Sequence, residues 1–170
     1  VNVYGASKLL SERIFSNWNL HSDTIFASCR YGNCCASTGS FVPDFKKKID
    51  NNEIVNITSE NCTRFLFTLE DAANFVINCI QIMHGGEVFI PLMDSYTIPD
   101  VVKALEIICE KPAQTKTIGM RAGEKYNEDM VADVEINRCV SVHGTIRPTL
   151  AIFPEYYQID PIYLRDSYVG

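Results

Sequence analysis

Amphipathic stretches alternate with short apolar runs along this chain, and that alternation restricts the fold more than any other feature. Residues 3–19 have helical spacing, with an apolar stripe made of Leu9, Leu10, Ile14 and Trp18. The apolar run 25–31 follows a turn and suits a strand buried in a parallel sheet. A helix that leads into a buried strand is typical of a doubly wound α/β sheet, so we predict an α/β fold.

The same patterns predict the remaining elements. Further helices are predicted over 41–49, after Thr68, over 98–109 and, briefly, over 126–131. Short strands are predicted at 54–57, 64–68, 87–91 and 115–118, and β-like runs at 134–136, 149–153 and 156–159.

The composition excludes several classes of function. The 170 residues carry a net charge of −6, which argues against a general nucleic-acid binder. No apolar run approaches the roughly 18 residues of a membrane span, and no signal-peptide pattern occurs, so we expect a cytoplasmic protein without a membrane span. The seven cysteines are scattered and contain no Cys-x-x-Cys pair, so we predict neither a disulfide framework nor a metal site.

Tyr4 and Lys8 are four residues apart, so their side chains share one face of the predicted first helix. An ammonium group beside a phenol favours the phenolate form, which can exchange a proton with an alcohol. The alternative interpretation is an ordinary amphipathic helix with an exposed lysine.

The stretch 2–8, followed by Ser11, Glu12 and Arg13, resembles the active-site helix of extended short-chain dehydrogenases/reductases. This resemblance implies that Tyr4 and Lys8 are catalytic and that both also contact a nicotinamide cofactor, NADP or possibly NAD. It implies further that Arg30, Tyr31 and Asn33 belong to the cofactor site.

The same resemblance extends to the substrate side of the site. It implies that Asn33, Ser40 and Val42 line the diphosphate of a nucleotide sugar. An alternative for Asn33 is that its side chain simply makes an Asx turn.

Two arginines complete the resemblance. Arg64 begins the short apolar run 64–68, and Arg121 precedes Glu124 by three residues. In the family the two arginines bind phosphate oxygens, a task that suits a planar and permanently charged guanidinium, and the acidic residue accepts hydrogen bonds from the ribose. The alternative for such an arginine is a surface ion pair.

Taken in order, these stretches resemble the UDP-N-acetylglucosamine 4,6-dehydratase branch of the family. The resemblance implies an NADP-dependent lyase that makes a 4-keto-6-deoxy sugar for glycan biosynthesis. Two alternatives stay open: a UDP-sugar 4-epimerase with the same Tyr-Lys pair, or a catalytically inactive nucleotide-sugar-binding or assembly module.

The family begins with a Gly-rich, dinucleotide-binding half, and no such pattern occurs in these 170 residues. We therefore expect the chain to form the C-terminal part of a Rossmann-like sheet together with a smaller substrate-binding portion. We expect it to be unable to catalyse the reaction by itself. The predicted domains are 1–43, the end of the dinucleotide-binding domain, and 44–170, mainly sugar-binding, with 63–91 partly returning to the Rossmann sheet. Expected partners are a UDP-sugar, the N-terminal half in cis or in trans, and a second copy in a homo-oligomer.

Overall fold

The structure is a computed structural model that describes residues 3–142 and 145–157. Its α-helices are α1 Val3–Trp18, α2 Phe41–Asp50, α3 Leu69–Ile82 and α4 Ile98–Cys109, and a 3₁₀ helix covers Asp133–Arg138. Its strands are β1 Ser28–Cys29, β2 Asn33–Cys34, β3 Ile54–Ile57, β4 Thr63–Phe67, β5 Val88–Pro91, β6 Ser95–Thr97, β7 Gln114–Thr117, β8 Cys139–Val142 and β9 Thr149–Ile152. The predicted α/β class is confirmed.

The chain divides into two compact units, each made of separate stretches. Unit 1 comprises Val1–Tyr31, Asp71–Leu92 and Asp129–Gly170, and unit 2 comprises Gly32–Glu70 and Met93–Glu128. Within the described residues, the segment after Asp129 contacts the first helix, as in the ion pair between Arg13 and Glu135.

Unit 1 is built on a four-stranded sheet in the order β1-β5-β9-β8. β1 runs parallel to β5, with Ser28 opposite Val88, whereas β9 is antiparallel to both of its neighbours. All four residues of β5 are buried, as expected for a strand with a neighbour on each side. Of the described strands, only β5 pairs with β1, so β1 is an edge.

Helix α1 contacts the rest of unit 1 mainly through the second half of its length. None of its residues is buried, and the predicted apolar stripe is about half exposed. The Ser16 hydroxyl donates to the Gly86 carbonyl over 3.0 Å, and the Phe15 and Phe26 rings stack with their centroids 5.8 Å apart. The apolar face of this helix is therefore open within the described residues.

Unit 2 contains a three-stranded sheet, β2-β4-β6, and a parallel pair, β3-β7. Helices α2 and α4 pack on the pair through one core, to which Phe45, Ile49, Val55, Ile57, Val101 and Leu105 contribute. Gly32, just before β2, lies so close to β4 that an added Cβ would be 2.5 Å from the Cβ of Phe65. Only a glycine allows this approach of the two strands.

The predicted elements mostly match the observed ones, but β2, β6 and β8 were not predicted, and four other segments differ. The short helix predicted at 126–131 is wrong: the segment is a series of bends, and the Tyr126 carbonyl accepts the Thr63 N–H instead of a helical one. The β-like run at 134–136 lies in the 3₁₀ helix. The strand predicted over 25–31 narrows to β1, and the run at 156–159 lies partly outside the described residues.

Candidate functional site

Tyr4 and Lys8 lie side by side near the start of α1. The Lys8 ammonium nitrogen is 5.3 Å from the centroid of the Tyr4 ring, which is a cation–π contact. The Tyr4 side chain is 71% exposed, so its hydroxyl is accessible to a reactant. The Ser7 hydroxyl donates to the backbone carbonyl of Tyr4, and this bond does not involve the phenol. The helix thus places the two predicted catalytic groups together on one open face.

Arg30, which the resemblance assigns to the cofactor, makes five hydrogen bonds inside unit 1. Its Nε and Nη2 donate to the two carboxylate oxygens of Glu12 over 3.1 and 2.6 Å. Its Nη1 and Nη2 donate to the two oxygens of Glu135 over 2.8 and 3.0 Å, and Nη1 also donates to the Met130 carbonyl over 2.6 Å. A guanidinium has five N–H groups, so this side chain has no donor left for a cofactor.

The charges around Arg30 stabilise one another. Glu135, whose side chain is 3% exposed, also accepts the Ala132 N–H over 3.0 Å and lies 3.3 Å from Nη2 of Arg13. The hydrogen bonds from Arg30 outweigh burial and lower the pKa of Glu135 from 4.5 to about 2. Burial alone would lower the pKa of Arg30, but the bonds to Glu135 and Glu12 raise it. Sequence reasoning missed this network.

The predicted residues on either side of the unit boundary have different surroundings. Tyr31, in unit 1, packs edge-on against Phe75, with ring centroids 6.5 Å apart. Val42, in unit 2, packs against the core of its unit.

Asn33 and Ser40, both in unit 2, carry the orphaned polar atoms of this region. Within the described residues, neither the buried Asn33 Oδ1 nor the buried Ser40 Oγ has a hydrogen-bond partner. Ser40 precedes α2 at the N-cap position but makes no side-chain cap. The Asx-turn alternative for Asn33 needs Oδ1 to accept a backbone N–H, and it accepts none. Unpaired buried polar atoms are costly, so both atoms suit a polar ligand.

Arg64, on β4 in unit 2, is held more loosely than Arg30. Its side chain is 10% exposed, and Nη1 donates to the carbonyls of Thr63 and Tyr126 over 2.7 and 3.2 Å. Nη2 is 3.7 Å from a carboxylate oxygen of Glu124, and Nε is 3.5 Å from one of Glu128. The guanidinium therefore has two carboxylate neighbours at ion-pair distance and retains N–H groups that can turn to another acceptor.

Arg121 and Glu124 lie in one turn of unit 2. The Arg121 backbone N–H donates to the Glu124 carboxylate over 3.1 Å, while the Arg121 residue is exposed. Glu124 thus links this turn to Arg64, because its carboxylate also lies 3.7 Å from Nη2 of that arginine. Burial raises the pKa of the neighbouring Glu128, and Arg64 and Lys125 oppose this rise.

Among the described residues, no helix is long and apolar enough to cross a membrane. In the same residues, no group of three His, Cys, Asp or Glu side chains could hold a metal ion. The seven cysteines are all free thiols.

Comparison with known proteins identifies the family. A sequence model described as "Polysaccharide biosynthesis protein" matches residues 1–148. The chain belongs to this family. This member of the polysaccharide biosynthesis family is 39% identical over 165 residues to the UDP-N-acetylglucosamine 4,6-dehydratase (inverting) of Campylobacter jejuni, covering 95% of this chain and 45% of that relative. It is 34% identical over 139 residues to the UDP-glucose 4-epimerase of Rickettsia bellii, covering 80% and 41%.

Solved structures agree with this assignment. The X-ray structure of Pen from Bacillus thuringiensis matches the polysaccharide biosynthesis family member with a TM-score of 0.80 and 29% identity, over 91% of this chain and 49% of that one. Two structures below 25% identity show the fold alone. The Thermus thermophilus UDP-glucose 4-epimerase complex with NAD matches with a TM-score of 0.66 and 18% identity, over 75% of this chain and 44% of that one. RMD from Pseudomonas aeruginosa complexed with NADPH matches with a TM-score of 0.62 and 13% identity, over 75% of this chain and 46% of that one. The predicted resemblance to short-chain dehydrogenases/reductases is confirmed. The chain spans about half the length of these relatives.

Proposed function

We propose that this chain is the catalytic and substrate-binding part of a UDP-sugar 4,6-dehydratase that acts on UDP-N-acetylglucosamine. The observation that carries the proposal is the Tyr4–Lys8 pair, which lies on one exposed helix face with the ammonium 5.3 Å from the ring centroid. The identity of 39% to a dehydratase supports this branch of the family.

Tyr4 would take the proton of the sugar C4 hydroxyl while C4 is oxidised. Water then leaves across C5 and C6, and C6 is reduced, so the sugar undergoes no net redox change. When bound, a nicotinamide cofactor supplies the hydride acceptor and donor for the two redox steps. NADP is our proposal for it, with NAD as the alternative. Lys8, whose ammonium nitrogen lies 5.3 Å from the centroid of the Tyr4 ring, would hold the cofactor ribose.

Unit 2 would hold the nucleotide sugar. Arg64 and Arg121 supply positive charge for the diphosphate, and Glu124 supplies acceptor oxygens for the ribose. The unpaired Asn33 Oδ1 and Ser40 Oγ suit hydrogen-bond donors of the ligand, such as sugar hydroxyl groups.

We propose that a dinucleotide-binding half, in cis or in trans, completes the enzyme. The open apolar face of α1 and the edge position of β1 support this, since both would be covered by a further half of the same sheet. The length of the curated relatives, about twice that of this chain, agrees with it. A homo-oligomer in the cytoplasm stays a prediction.

A second candidate is a UDP-sugar 4-epimerase, favoured by the identity of 34% to the Rickettsia bellii epimerase. It would use the same Tyr4–Lys8 pair but return the hydride to C4 without eliminating water. A third candidate is an inactive nucleotide-sugar-binding module, in which Tyr4 has no chemical role.

Replacing Tyr4 tests the proposal. The chain is joined to the N-terminal part of the Campylobacter jejuni dehydratase and supplied with UDP-N-acetylglucosamine, and the products are separated by chromatography. We expect a 4-keto-6-deoxy product, and a fall in turnover of about 10²-fold or more in Tyr4→Phe, because phenylalanine keeps the ring but cannot exchange a proton. Tyr96→Phe, which removes another exposed hydroxyl, is the matched control.

The products distinguish the candidates. A C4 epimer in place of the 4-keto-6-deoxy sugar would establish the epimerase. Turnover that is the same in Tyr4→Phe and the parent enzyme would remove Tyr4 from the mechanism. UDP binding with no turnover would favour the binding module.

A further inference from the structure

We infer that Arg30 is a positioning residue that fixes helix α1, and with it the Tyr4–Lys8 pair, through Glu12 on one side and Glu135 on the other. The inference rests on the proposed function for the importance of that pair. It replaces the cofactor contact that the resemblance implies for the Arg30 side chain.

The Arg30 guanidinium makes a bidentate contact with each of two glutamates. Glu12 approaches it from the Nε–Nη2 side and Glu135 from the Nη1–Nη2 side, each with both carboxylate oxygens. Two bidentate contacts on a planar group restrict the direction of both carboxylates, not only their distance. Arg30 therefore determines where Glu12 lies to within the tolerance of hydrogen bonds.

Glu12 lies on the same face of α1 as Tyr4 and Lys8. Tyr4, Lys8 and Glu12 are spaced four residues apart, so they share one face over about 12 Å of helix axis. A restraint on the direction of Glu12 is therefore a restraint on the direction in which Tyr4 and Lys8 project.

Glu12, Arg13 and Ser16 connect α1 to other parts of unit 1. Within the described residues, the ion pairs and hydrogen bonds from α1 side chains to the rest of the unit are made at these three positions. Among the described residues, the side-chain hydrogen bonds of Ser7 and Ser11 stay within the helix. Glu12 is thus the anchor nearest to the pair, one turn beyond Lys8.

Arg30 and Glu135, which form the end of the network away from α1, are held by other parts of unit 1. The Arg30 backbone N–H donates to the Phe89 carbonyl of the buried strand β5 over 2.8 Å. Glu135 is nearly fully buried, and the Ala132 N–H holds the same carboxylate. The network therefore connects α1 to the sheet and to the 3₁₀ helix of unit 1.

Hydrogen exchange tests the restraint without any assay of activity. In this chain, Glu12→Gln keeps the size and an acceptor oxygen but loses the charged bidentate contact. We expect the amides of residues 5–11 to exchange at least about 10-fold faster in Glu12→Gln, with unit 2 unchanged. Asp71→Asn is the matched control, because it removes the carboxylate charge from another ion pair of the same unit, the Asp71–Arg147 pair at 2.7 Å. Equal exchange of residues 5–11 in Glu12→Gln and the parent chain would overturn the inference.

A double-mutant cycle tests the consequence for catalysis. In the active enzyme described above, Glu12→Gln is expected to lower kcat about 10-fold with KM changed less than about 2-fold, because misplacing Tyr4 affects the chemical step. In a Tyr4→Phe background the same change should have almost no effect, whereas Asp71→Asn should act equally in both backgrounds.

The outcomes of the cycle separate the two proposals. If Glu12→Gln lowers kcat by the same factor with and without Tyr4, Arg30 and Glu12 support the fold only, and the positioning inference is wrong. If Tyr4→Phe itself has no effect, the proposed function fails instead, while the exchange experiment still decides whether Arg30 fixes the helix.

Discussion

Arg30 in unit 1 and Arg64 in unit 2 are both largely buried arginines that face two glutamates, yet their contacts differ, and we propose different roles for them. Arg30 contacts its carboxylates at 2.6–3.1 Å with every N–H group used. Arg64 lies 3.5–3.7 Å from its carboxylates, and its Nη1 donates short hydrogen bonds to two backbone carbonyls. Distance and donor count, not burial or charge, are therefore the basis on which we propose that Arg30 fixes a helix and Arg64 binds a phosphate.

The largest expected effect comes from removing Arg30. Arg30→Ala leaves the carboxylate of Glu135 buried without its main partner, which costs about 3–5 kcal/mol of unfolding free energy. Urea unfolding of the chain at pH 7 measures this. A loss as small as that of an exposed ion pair would show that the network is not important for the stability of unit 1.

The second largest effect is expected from acid, which should lower the contribution of the Arg30–Glu135 pair to the free energy of unfolding. The pKa of Glu135 is lowered from 4.5 to about 2, so its contribution is complete above pH 4.5 and is lost as pH falls toward 2. The shift corresponds to about 3 kcal/mol. Unfolding free energy measured in urea between pH 7 and 2 should fall less steeply below pH 4.5 in Glu135→Gln than in the parent chain.

Glu128, beside Arg64, should respond to acid in the opposite direction. Its pKa is raised by burial, so the protonated form is favoured in the folded state and its contribution to stability grows as pH falls through that raised pKa. Parallel pH curves for Glu135→Gln and Glu128→Gln would contradict the distinction drawn between the two arginines.

Replacing Arg64 should lower the affinity of the protein for UDP. We expect Arg64→Ala to lower the affinity for UDP about 10- to 100-fold, because charge-assisted hydrogen bonds to the diphosphate are lost, and to leave the affinity for uridine unchanged. Arg64→Lys keeps the charge without the planar fork and should be intermediate. Calorimetric titration with UDP and with uridine measures both. An equal loss for the two ligands would mean that Arg64 does not contact phosphate.

The smallest effect is expected for Arg13. Its side chain is 47% exposed and lies 3.3 Å from Glu135, so Arg13→Ala should change the unfolding free energy by less than about 1 kcal/mol. Urea unfolding beside Arg30→Ala makes the comparison direct. A loss similar to that of Arg30→Ala would show that the charges act as one unit around Glu135.

Local signals in the sequence were sufficient for several elements. Helix α4 begins and ends as predicted, because Thr97 caps it by accepting the Asp100 N–H and Pro99 lies in its first turn. Strand β3 matches the predicted 54–57 run. In both cases the residues that determine the element lie within it or next to it.

Long-range interactions account for what the sequence could not predict. Arg30 and Glu135 are 105 residues apart, and no pattern in the sequence relates them. The bends at 126–131 depend on hydrogen bonds with residues 63 and 64, so local spacing wrongly favoured a helix. The adjacency of Tyr4 and Lys8 was predictable because helix geometry alone determines it.

The close packing of Gly32 against Phe65 affects how the segment 30–33 should be studied. A methyl group at position 32 would force β2 away from β4, since the added carbon would be 2.5 Å from both the Cβ and the carbonyl oxygen of Phe65. Asn33 would move with its strand. An alanine scan of these four residues would then report a binding defect at Gly32 that reflects displaced neighbours, although that position offers a ligand no side chain at all.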